Sequence, residues 1–400
     1  MHIVTSTDIL LPCAEDMGAW SVIACDQFTS EPEYWAAAEA RAAEKPSTLS
    51  LMLPEAWLHT VRADGADGRI ADTMRRYLAE GVFQTVPDSF IYVERTLSDG
   101  RVRRGLVAAL DLEQYDFTGT QRASVRSTEG TVEERLPPRV NIRRGAPLEM
   151  PHTLLLMDDR TDSVLSLAEK AKDTLEKVYD FDLMLGGGHI AGWRVSGETK
   201  AAVQSALDAL DNAALQREKY GDAAENGKLT FAVGDGNHSL AAAKRFWEEK
   251  RETLPENERE TDPARFALVE IENIHEPSLD FEPIHRVIFD TDTTAFAAEF
   301  TAHRTEWEAE DKTLGERVAA AESFCRAYIA AHGGYIDYIH GDDTARSLGE
   351  KPSCAAVLLP PVEKSGLFLS VLKNGALPKK SFSMGNARDK RYYLECRKIR

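Results

Sequence analysis

The residues best suited to chemistry lie in one short turn, Gly234-Asp235-Gly236-Asn237-His238-Ser239, which we call the central turn. An apolar, partly β-branched run over residues 229–233 precedes it, and a segment with apolar residues at helical spacing follows it. The pattern predicts a strand, a turn and a helix, so the central turn lies at a helix N-terminus. Free backbone N–H groups and the positive end of the helix dipole favour an anion there, and glycines let it approach closely. The central turn therefore predicts a phosphate site.

Other interpretations of the central turn remain open. In a purely structural one, Asp235 and Gly236 form a tight turn, Asn237 caps the helix and His238 faces solvent. The turn also resembles the dinucleotide fingerprint, with Ser239 in place of the third glycine, but His238 would crowd the pyrophosphate. Phosphate-loop and His-Glu-x-x-His signatures are absent. A phosphoryl-transfer site is favoured, because His238 and Ser239 add side-chain donors to the backbone donors.

Three other clusters are candidates to complete such a site. Glu129 is flanked by hydroxyls and arginines, so its carboxylate stays ionised and is suited to take a proton from an attacking hydroxyl. His285 and Arg286 follow a proline, and residues 378–383, which we call the lysine segment, carry Lys379 and Lys380 beside Ser381 and Ser383. Each cluster has a structural alternative: a surface ion-pair network, a structural pair and a solvated basic loop. Together they supply the base and the positive charge that phosphoryl transfer needs.

Composition limits the function classes. The chain has 400 residues, 43% of them hydrophobic, and a formal charge of −18, which disfavours nucleic acid and anionic lipid as partners. Five scattered cysteines and no apolar run long enough to span a bilayer predict a reducing, cytoplasmic location with no membrane contact. The local exception is a basic stretch, with more arginine than glutamate, formed by Arg122, Arg126, Arg135, Arg139, Arg143 and Arg144 between Gln121 and Arg144.

The order of elements predicts an α/β fold of mixed sheets and helices. Strands are expected over residues 20–25, 153–157, 264–271, 335–339, 355–359 and 367–372, and a hairpin over 89–97 and 101–110. Helices are expected over residues 32–43, 55–78, 162–175, 201–218 and 314–331, with Thr128 or Thr131 capping a further helix that presents Arg135 and Arg139 on one face. Residues 186–189 are expected to connect a hairpin. No linker divides the chain, so residues 1–400 form one functional unit; lobes 1–150, 151–290 and 291–400 are the alternative.

The order and spacing of these motifs resemble the family labelled domain of unknown function 1015, over nearly the whole chain. The resemblance rests on Thr128-Glu129-Gly130-Thr131, the Asp-Gly-x-His turn, Pro-x-His-Arg at 283–286 and Pro-Lys-Lys-Ser at 378–381. The turn is in addition similar to that of the ParB and sulfiredoxin-like superfamily, which includes kinases of free serine. This implies a ParB/sulfiredoxin-like core with large insertions, Glu129 as the base, and Asp235, Asn237 and His238 holding donor phosphates and metal. The commoner family turn has a second histidine and an arginine where this chain has Asn237 and Ser239.

These inferences predict a kinase-like transferase that phosphorylates the hydroxyl of a small molecule, free L-serine above others. The expected cofactor is Mg²⁺, and the expected donor is pyrophosphate or a nucleotide such as ATP or ADP. A non-catalytic sensor or scaffold that binds nucleotide or phosphate is the alternative. The sequence assigns neither metal ligands nor an oligomeric state. Catalytic roles are predicted for Glu129, Asp235 and His238, and phosphate contacts for Gly234, Gly236, Asn237, Ser239, Arg139, His285, Arg286, Lys379, Lys380 and Ser381.

Overall fold

The computed structural model describes residues 2–119, 122–309 and 311–400, and it is a mixed α/β protein, as predicted. Its helices are α1 Met17–Trp20, α2 Pro32–Ala42, α3 Ala66–Ala79, α4 Leu136–Gly145, α5 Leu165–Ala171, α6 Gly197–Leu210, α7 Ala213–Tyr220, α8 Asn237–Thr253, α9 Glu256–Arg259, α10 Thr293–His303, α11 Thr305–Glu308, α12 Leu314–His332, α13 Asp342–Gly349 and α14 Gly366–Asn374.

The first strands in the chain are β1 Val4–Thr5, β2 Thr7–Pro12, β3 Val22–Ile23, β4 Phe83–Thr96, β5 Val102–Asp111, β6 Tyr115–Asp116, β7 Val125–Ser127, β8 Leu148–Glu149 and β9 Leu154–Met157. They are followed by β10 Glu176–Asp182, β11 His189–Val195, β12 Phe231–Asp235, β13 Phe266–Asn273, β14 Phe281–Phe289, β15 Tyr335–His340, β16 Cys354–Val357, β17 Phe382–Met384, β18 Tyr392–Tyr393 and β19 Arg397–Lys398.

One large mixed sheet forms the centre of the molecule. Its strand order is β10-β11-β4-β5-β13-β9-β12-β7-β6, and β1 and β2 pair with β5 and β4. The hairpin half, from β10 to β13, is antiparallel, whereas β13 runs parallel to β9 and β12 runs parallel to β7. The parallel pair β7 and β12 matters most here, because the chain leaves both strands at the same edge of the sheet. Residues 128–129 and the central turn consequently emerge side by side.

The neighbouring strands β9 and β12 are buried on both faces. Leu155 and Met157 pack in the cluster that contains the apolar side of α8, whereas Leu154 and Leu156 pack on the opposite face with α14 and β17. A strand covered on both faces needs apolar residues at every position, not at alternate ones. This is why residues 154–157 and 231–233 form continuous apolar runs in the sequence.

A smaller sheet lies in the C-terminal part of the chain. Its order is β15-β14-β16, with β17 paired to the beginning of β14, and all these pairs are antiparallel. Helices α10, α11 and α12 cover it with an aromatic cluster that includes Phe296, Trp307, Phe324 and Tyr328. Through β17 this sheet connects directly to the lysine segment.

The structure corrects several of the predicted elements. Residues 367–372, expected as a strand, belong to helix α14, in which Leu367, Phe368, Val371 and Leu372 form one buried face at helical spacing. The expected helix over 55–78 begins only at Ala66, and the one over 201–218 is divided into α6 and α7. The remaining predicted helices and strands, and the hairpin connection at 186–189, are present with shifted ends.

The expected threonine cap is also wrong. Helix α4 begins at Leu136 after a short 3₁₀ turn, Glu133–Arg135, and no side chain caps either of them. The Thr128 hydroxyl instead donates to the carbonyl of Val233 at 2.6 Å, across the parallel strand pair. A threonine hydroxyl can either cap a helix or bond to a neighbouring strand, so the local sequence did not distinguish these two roles.

Two further findings concern the class of protein. Within the described residues, no helix is both long enough and apolar enough to cross a bilayer. All five cysteines are free thiols. The ParB/sulfiredoxin-like description of the core and the division into lobes stay predictions.

Gly236 tests whether the path of the central turn depends on glycine. Its φ is +77°, and an added Cβ would lie 2.8 Å from the Cα of Thr153. We expect Gly236→Ala to lower the free energy of unfolding by about 2–4 kcal/mol, from left-handed strain and a backbone clash. Gly68→Ala is the control, because its Cβ would meet nothing within 4 Å and it should stabilise α3 by about 0.5–1 kcal/mol. Equal urea midpoints for the two variants would contradict this description.

Candidate functional site

The central turn joins β12 to α8 and leaves backbone donors unused. Gly236 is the N-cap residue, and the first helical N–H with an acceptor is that of Leu240, which donates to the Gly236 carbonyl at 3.0 Å. Across the described part of the chain, no acceptor faces the backbone N–H groups of Asn237, His238 and Ser239. We call these three N–H groups the anion site. They carry the positive end of the dipole of α8, a helix of 17 residues.

The two glycines of the turn serve packing. A Cβ at Gly234 would lie 2.5 Å from the sulfur of Met384, and one at Gly236 would meet Thr153. The sequence interpretation assigned both glycines to the close approach of an anion. The structure gives them another physical reason, because protein atoms already occupy the space beside them. The Asn237 amide differs, since its buried Oδ1 has no hydrogen-bond partner within the described residues.

Glu129 joins the central region to the lysine segment. Residues 128–130 bridge to Leu377, whose N–H donates to the Thr128 carbonyl at 2.7 Å. The Glu129 carboxylate accepts the backbone N–H of Ser381 at 3.1 Å and is also faced by the backbone N–H groups of Phe382 and Lys380. Burial raises the pKa of Glu129, although these backbone hydrogen bonds oppose the increase. Glu129 is therefore both an anchor for the lysine segment and a carboxylate with increased proton affinity.

His238 lies between the Glu129 region and helix α4. Its Nε2 accepts the backbone N–H of Val132 at 3.2 Å, so the neutral ring carries its proton on Nδ1. Burial, together with the charges of Arg139, Arg135 and Lys379, lowers the pKa of His238 to about 4. At neutral pH the ring is thus an uncharged hydrogen-bond donor.

Only part of the predicted basic stretch faces the anion site. Arg139 bonds to the Glu55 carboxylate, and both Arg139 and Arg135 act on His238. The other guanidinium groups of the stretch are engaged elsewhere by Glu225, Asn226, Glu149 and Glu249. Gln121, the first residue of the stretch as predicted, lies outside the described residues.

Two acidic residues and a lysine lie on the other side of the central turn. Asp235 forms an ion pair with Lys390 at 3.4 Å, and its Oδ1 accepts the N–H of Gly236. Asp26 follows β3; burial alone would raise its pKa, but His152, Gln27 and Lys390 outweigh burial and lower it. The charge of Asp26 also opposes the lowering of the His238 pKa. An ionised carboxylate, a lysine and a second carboxylate consequently surround the start of α8.

A buried hydrogen-bonded chain continues from the turn. The Ser239 hydroxyl lies 3.4 Å from His152 Nε2, and His152 Nδ1 lies 2.7 Å from the Tyr393 hydroxyl. Tyr393 in turn donates to the Cys25 sulfur at 3.3 Å, and burial raises the pKa of that thiol to about 12. Cys25 is therefore a protonated, unreactive group, and the chain fixes the orientation of Ser239.

Three predicted phosphate ligands are engaged in other contacts. The Ser381 hydroxyl donates to the Pro378 carbonyl, and its residue is fully buried. His285 Nδ1 accepts the Leu359 N–H at 3.1 Å, so its Nε2–H donates to Asp342. Arg286 points to the other face of β14, where it pairs with Glu322 and lies over the ring of Tyr338. The structure thus unites Glu129, Asp235, His238, Ser239, Arg139 and Lys379, but not His285 or Arg286.

Sequence reasoning missed Asp26, His152, Lys390 and His340. Burial lowers the pKa of His340 in β15, and the charges of Lys380 and Lys390 act in the same direction. The edge of the smaller sheet therefore lies near the same lysines. Asp26 carried a usable signal, because it directly follows a short strand. Lys390 had no such signal, because the sequence Asp389-Lys390-Arg391 is typical of a charged, solvent-exposed segment.

Magnesium, the predicted cofactor, has no complete protein cage here. Within residues 2–119, 122–309 and 311–400, no group of three acidic, histidine or cysteine side chains is arranged to hold a metal ion. Magnesium commonly takes only one or two carboxylates and completes its shell with phosphate oxygens and water. Asp235 and Asp26, which share Lys390 as a neighbour, fit that requirement.

The fold and this site define a mixed α/β protein with an anion site at a helix N-terminus. The chain belongs to the family described as protein of unknown function (DUF1015), whose model matches residues 8–398. No curated protein matches the chain.

Solved structures similar to the chain include a free serine kinase in complex with AMP, with 10% identity, a TM-score of 0.34, and coverage of 72% of this chain and 90% of the kinase. A variant of free serine kinase in complex with ADP has 8% identity, a TM-score of 0.34 and coverage of 72% and 91%. A conserved hypothetical protein from Pyrococcus furiosus has 9% identity, a TM-score of 0.33 and coverage of 73% and 95%.

The pKa of His238 makes stability depend on pH. Because its pKa falls from 6.5 to about 4 on folding, the unfolded chain binds this proton more readily, and stability decreases as the pH falls from 6.5 towards 4. We expect His238→Gln to remove this part of the loss between about pH 7.5 and about pH 5 in urea denaturation. The same substitution at exposed His59 is the control and should leave the wild-type pH dependence in place. A full wild-type loss in His238→Gln would show that the ring is not held neutral.

Proposed function

We propose that the protein is a phosphotransferase that phosphorylates the hydroxyl of a small molecule, with free L-serine as the first candidate. The observation that carries this proposal is the anion site: three backbone N–H groups that have no acceptor among the described residues, beside Glu129, His238 and lysines brought from distant parts of the chain. Such donors stabilise phosphate oxygens as negative charge develops on them. The choice of serine rests on the resemblance of the central turn to that of kinases of free serine.

In the proposed reaction the acceptor hydroxyl oxygen attacks the terminal phosphorus of the donor. A phosphorus–oxygen bond forms, the bond to the bridging oxygen breaks, and the donor leaves with one phosphoryl group fewer. The hydroxyl proton passes to the Glu129 carboxylate. The anion site, the Nδ1–H of His238, Lys379 and Lys390 hold the donor phosphates, and Arg139 contributes positive charge from α4.

Glu129 suits the role of base because burial raises its pKa towards neutral pH. A general base is most effective when its pKa lies near the pH at which it works. Asp26 has the opposite tendency, since its neighbours keep it ionised. We therefore assign Glu129 to proton transfer, and Asp26 with Asp235 to magnesium. When bound, magnesium neutralises charge on the donor phosphates.

A phosphate or nucleotide sensor is the second candidate, and one observation favours it. The Glu129 carboxylate already accepts backbone N–H groups of the lysine segment, so its role is complete without catalysis. In that case the same site would bind phosphate and transfer nothing.

The distinguishing experiment is an incubation of the protein with L-serine, magnesium and, separately, ATP, ADP or pyrophosphate. We expect O-phosphoserine to accumulate with at least one donor, because the site supplies both anion stabilisation and a base. Mass spectrometry of the product checks this. Donor binding in calorimetry without phosphoserine would favour the sensor, and absence of both would end the proposal.

The role of Glu129 is tested in the same assay. Glu129→Gln keeps a carbonyl oxygen for the Ser381 N–H but cannot take a proton, so turnover of the folded variant should fall by about 10²-fold or more. Its amide NH2 faces backbone donors, so the thermal midpoint should fall as well. Glu133→Gln is the matched control, an exposed glutamate in the same segment whose replacement should leave turnover unchanged. Wild-type turnover in a folded Glu129→Gln protein would show that Glu129 is only an anchor.

A further inference from the structure

A cavity of about 160 Å³ lies beside the anion site, between the N-terminal segment, α3, α4 and the start of α8. Most of its wall is formed by aliphatic and thioether side chains, among them Leu51, Met52, Leu53, Leu58, Met74 and Met150. Five of its polar lining residues belong to the site already described or adjoin it, Cys25, Glu55, Arg139, Ser239 and Tyr393, and Arg143 and Glu149 complete the polar lining. Ser239 carries one N–H of the anion site and also lines the cavity, so the cavity and the anion site adjoin at this residue.

We propose that this cavity holds the base of a purine nucleotide whose phosphates occupy the anion site. The inference rests on the proposed function and selects a nucleotide, not pyrophosphate, as the donor. An apolar cavity next to a phosphate site has no use for pyrophosphate or for a small acceptor such as serine, because neither has an apolar part to bury. A nucleotide has a base for the apolar cavity and phosphates for the anion site, and its ribose joins the two.

The size and the wall of the cavity fit this occupant. An enclosed cavity of about 150 Å³ takes up benzene, so this slightly larger, open-sided one accommodates a flat bicyclic base whose polar edge stays at the opening. Three methionines, Met52, Met74 and Met150, line it, and thioethers make favourable contacts with aromatic rings.

The charged groups of the cavity are consistent with a neutral, aromatic guest. Glu149 is buried and already bonded to Arg143 and Arg397, so the guest need not neutralise it. Arg139 is paired with Glu55 and largely buried, which presents its planar guanidinium at the boundary between the cavity and the anion site. A guanidinium there is suited to stack on a base and to attract the phosphates attached to it.

The test compares a cavity-filling variant with a matched control. Leu58 is half-buried in the cavity wall, so Leu58→Trp occupies the space of the base without entering the protein core. Leu175→Trp places the same side chain at a half-buried leucine outside the cavity. Calorimetry should show ADP binding weakened about tenfold or more by Leu58→Trp only, with pyrophosphate binding unchanged in both variants. Leu53→Trp fills the same wall if Leu58→Trp does not fold.

Several results would overturn the inference. One is equal ADP affinity in the wild type and in the folded cavity variants, and another is a parallel loss of ADP and pyrophosphate affinity. A cavity variant that keeps its ADP affinity but loses saturation by serine would assign the cavity to the acceptor instead. Failure of the proposed function is distinguishable: cavity-dependent ADP binding without phosphoserine refutes transfer alone, whereas phosphoserine made from pyrophosphate without ADP binding refutes the cavity alone.

Discussion

The site depends on one interaction between distant parts of the chain, the hydrogen bond from the backbone N–H of Ser381 to the carboxylate of Glu129, 252 positions apart. Backbone N–H groups of Lys380 and Phe382 face the same carboxylate, and Lys380 adopts a left-handed conformation with φ of 60°. Strain of this kind persists only where the surroundings enforce it. The buried carboxylate of Glu129, faced by the backbone N–H groups of Lys380 and of the two residues after it, provides such surroundings. Together with the bridge from Leu377 to Thr128 and the pairing of β17 with β14, it holds the lysine segment beside the start of α8.

Local electrostatics at this site run against those of the whole molecule. The chain carries a formal charge of −18, yet the surroundings of the anion site are cationic enough to help burial keep His238 neutral. A neutral histidine beside cations is a donor that needs no proton from solvent. An anion bound there would relieve the repulsion that disfavours protonation, so phosphate binding and proton uptake by His238 are linked. The net negative charge of the chain disfavours nonspecific anion binding elsewhere.

The sequence predicted the parts of the fold that depend on local patterns. The apolar run before the central turn and the helical spacing after it were enough for β12 and α8, because both elements are buried along faces that their residues reveal. The predicted strand over residues 367–372 is wrong, because six mostly apolar residues are equally compatible with a short buried strand and with one side of a helix. The helix packs its apolar side on one face of β9, and that packing is not a local property.

The candidate site was predictable where a motif has its own geometry and unpredictable where the fold assembles it. Asp235, His238 and Ser239 share one turn, and parallel pairing of β7 with β12 brings Glu129 to the same sheet edge. His285 and Arg286 adjoin in sequence but point to opposite faces of a strand, so at most one of them could have faced the site. Asp26, His152 and Lys390 come from three separate segments, and only tertiary packing places them together.

The proposed function depends above all on phosphate binding by the backbone N–H groups of Asn237, His238 and Ser239. Its most direct test is a crystal structure of the protein soaked with pyrophosphate. We expect a phosphate group within hydrogen-bonding distance of these three N–H groups, with Lys379 and the Nδ1–H of His238 turned towards it. A start of α8 covered by protein, with pyrophosphate bound elsewhere or not at all, would contradict it.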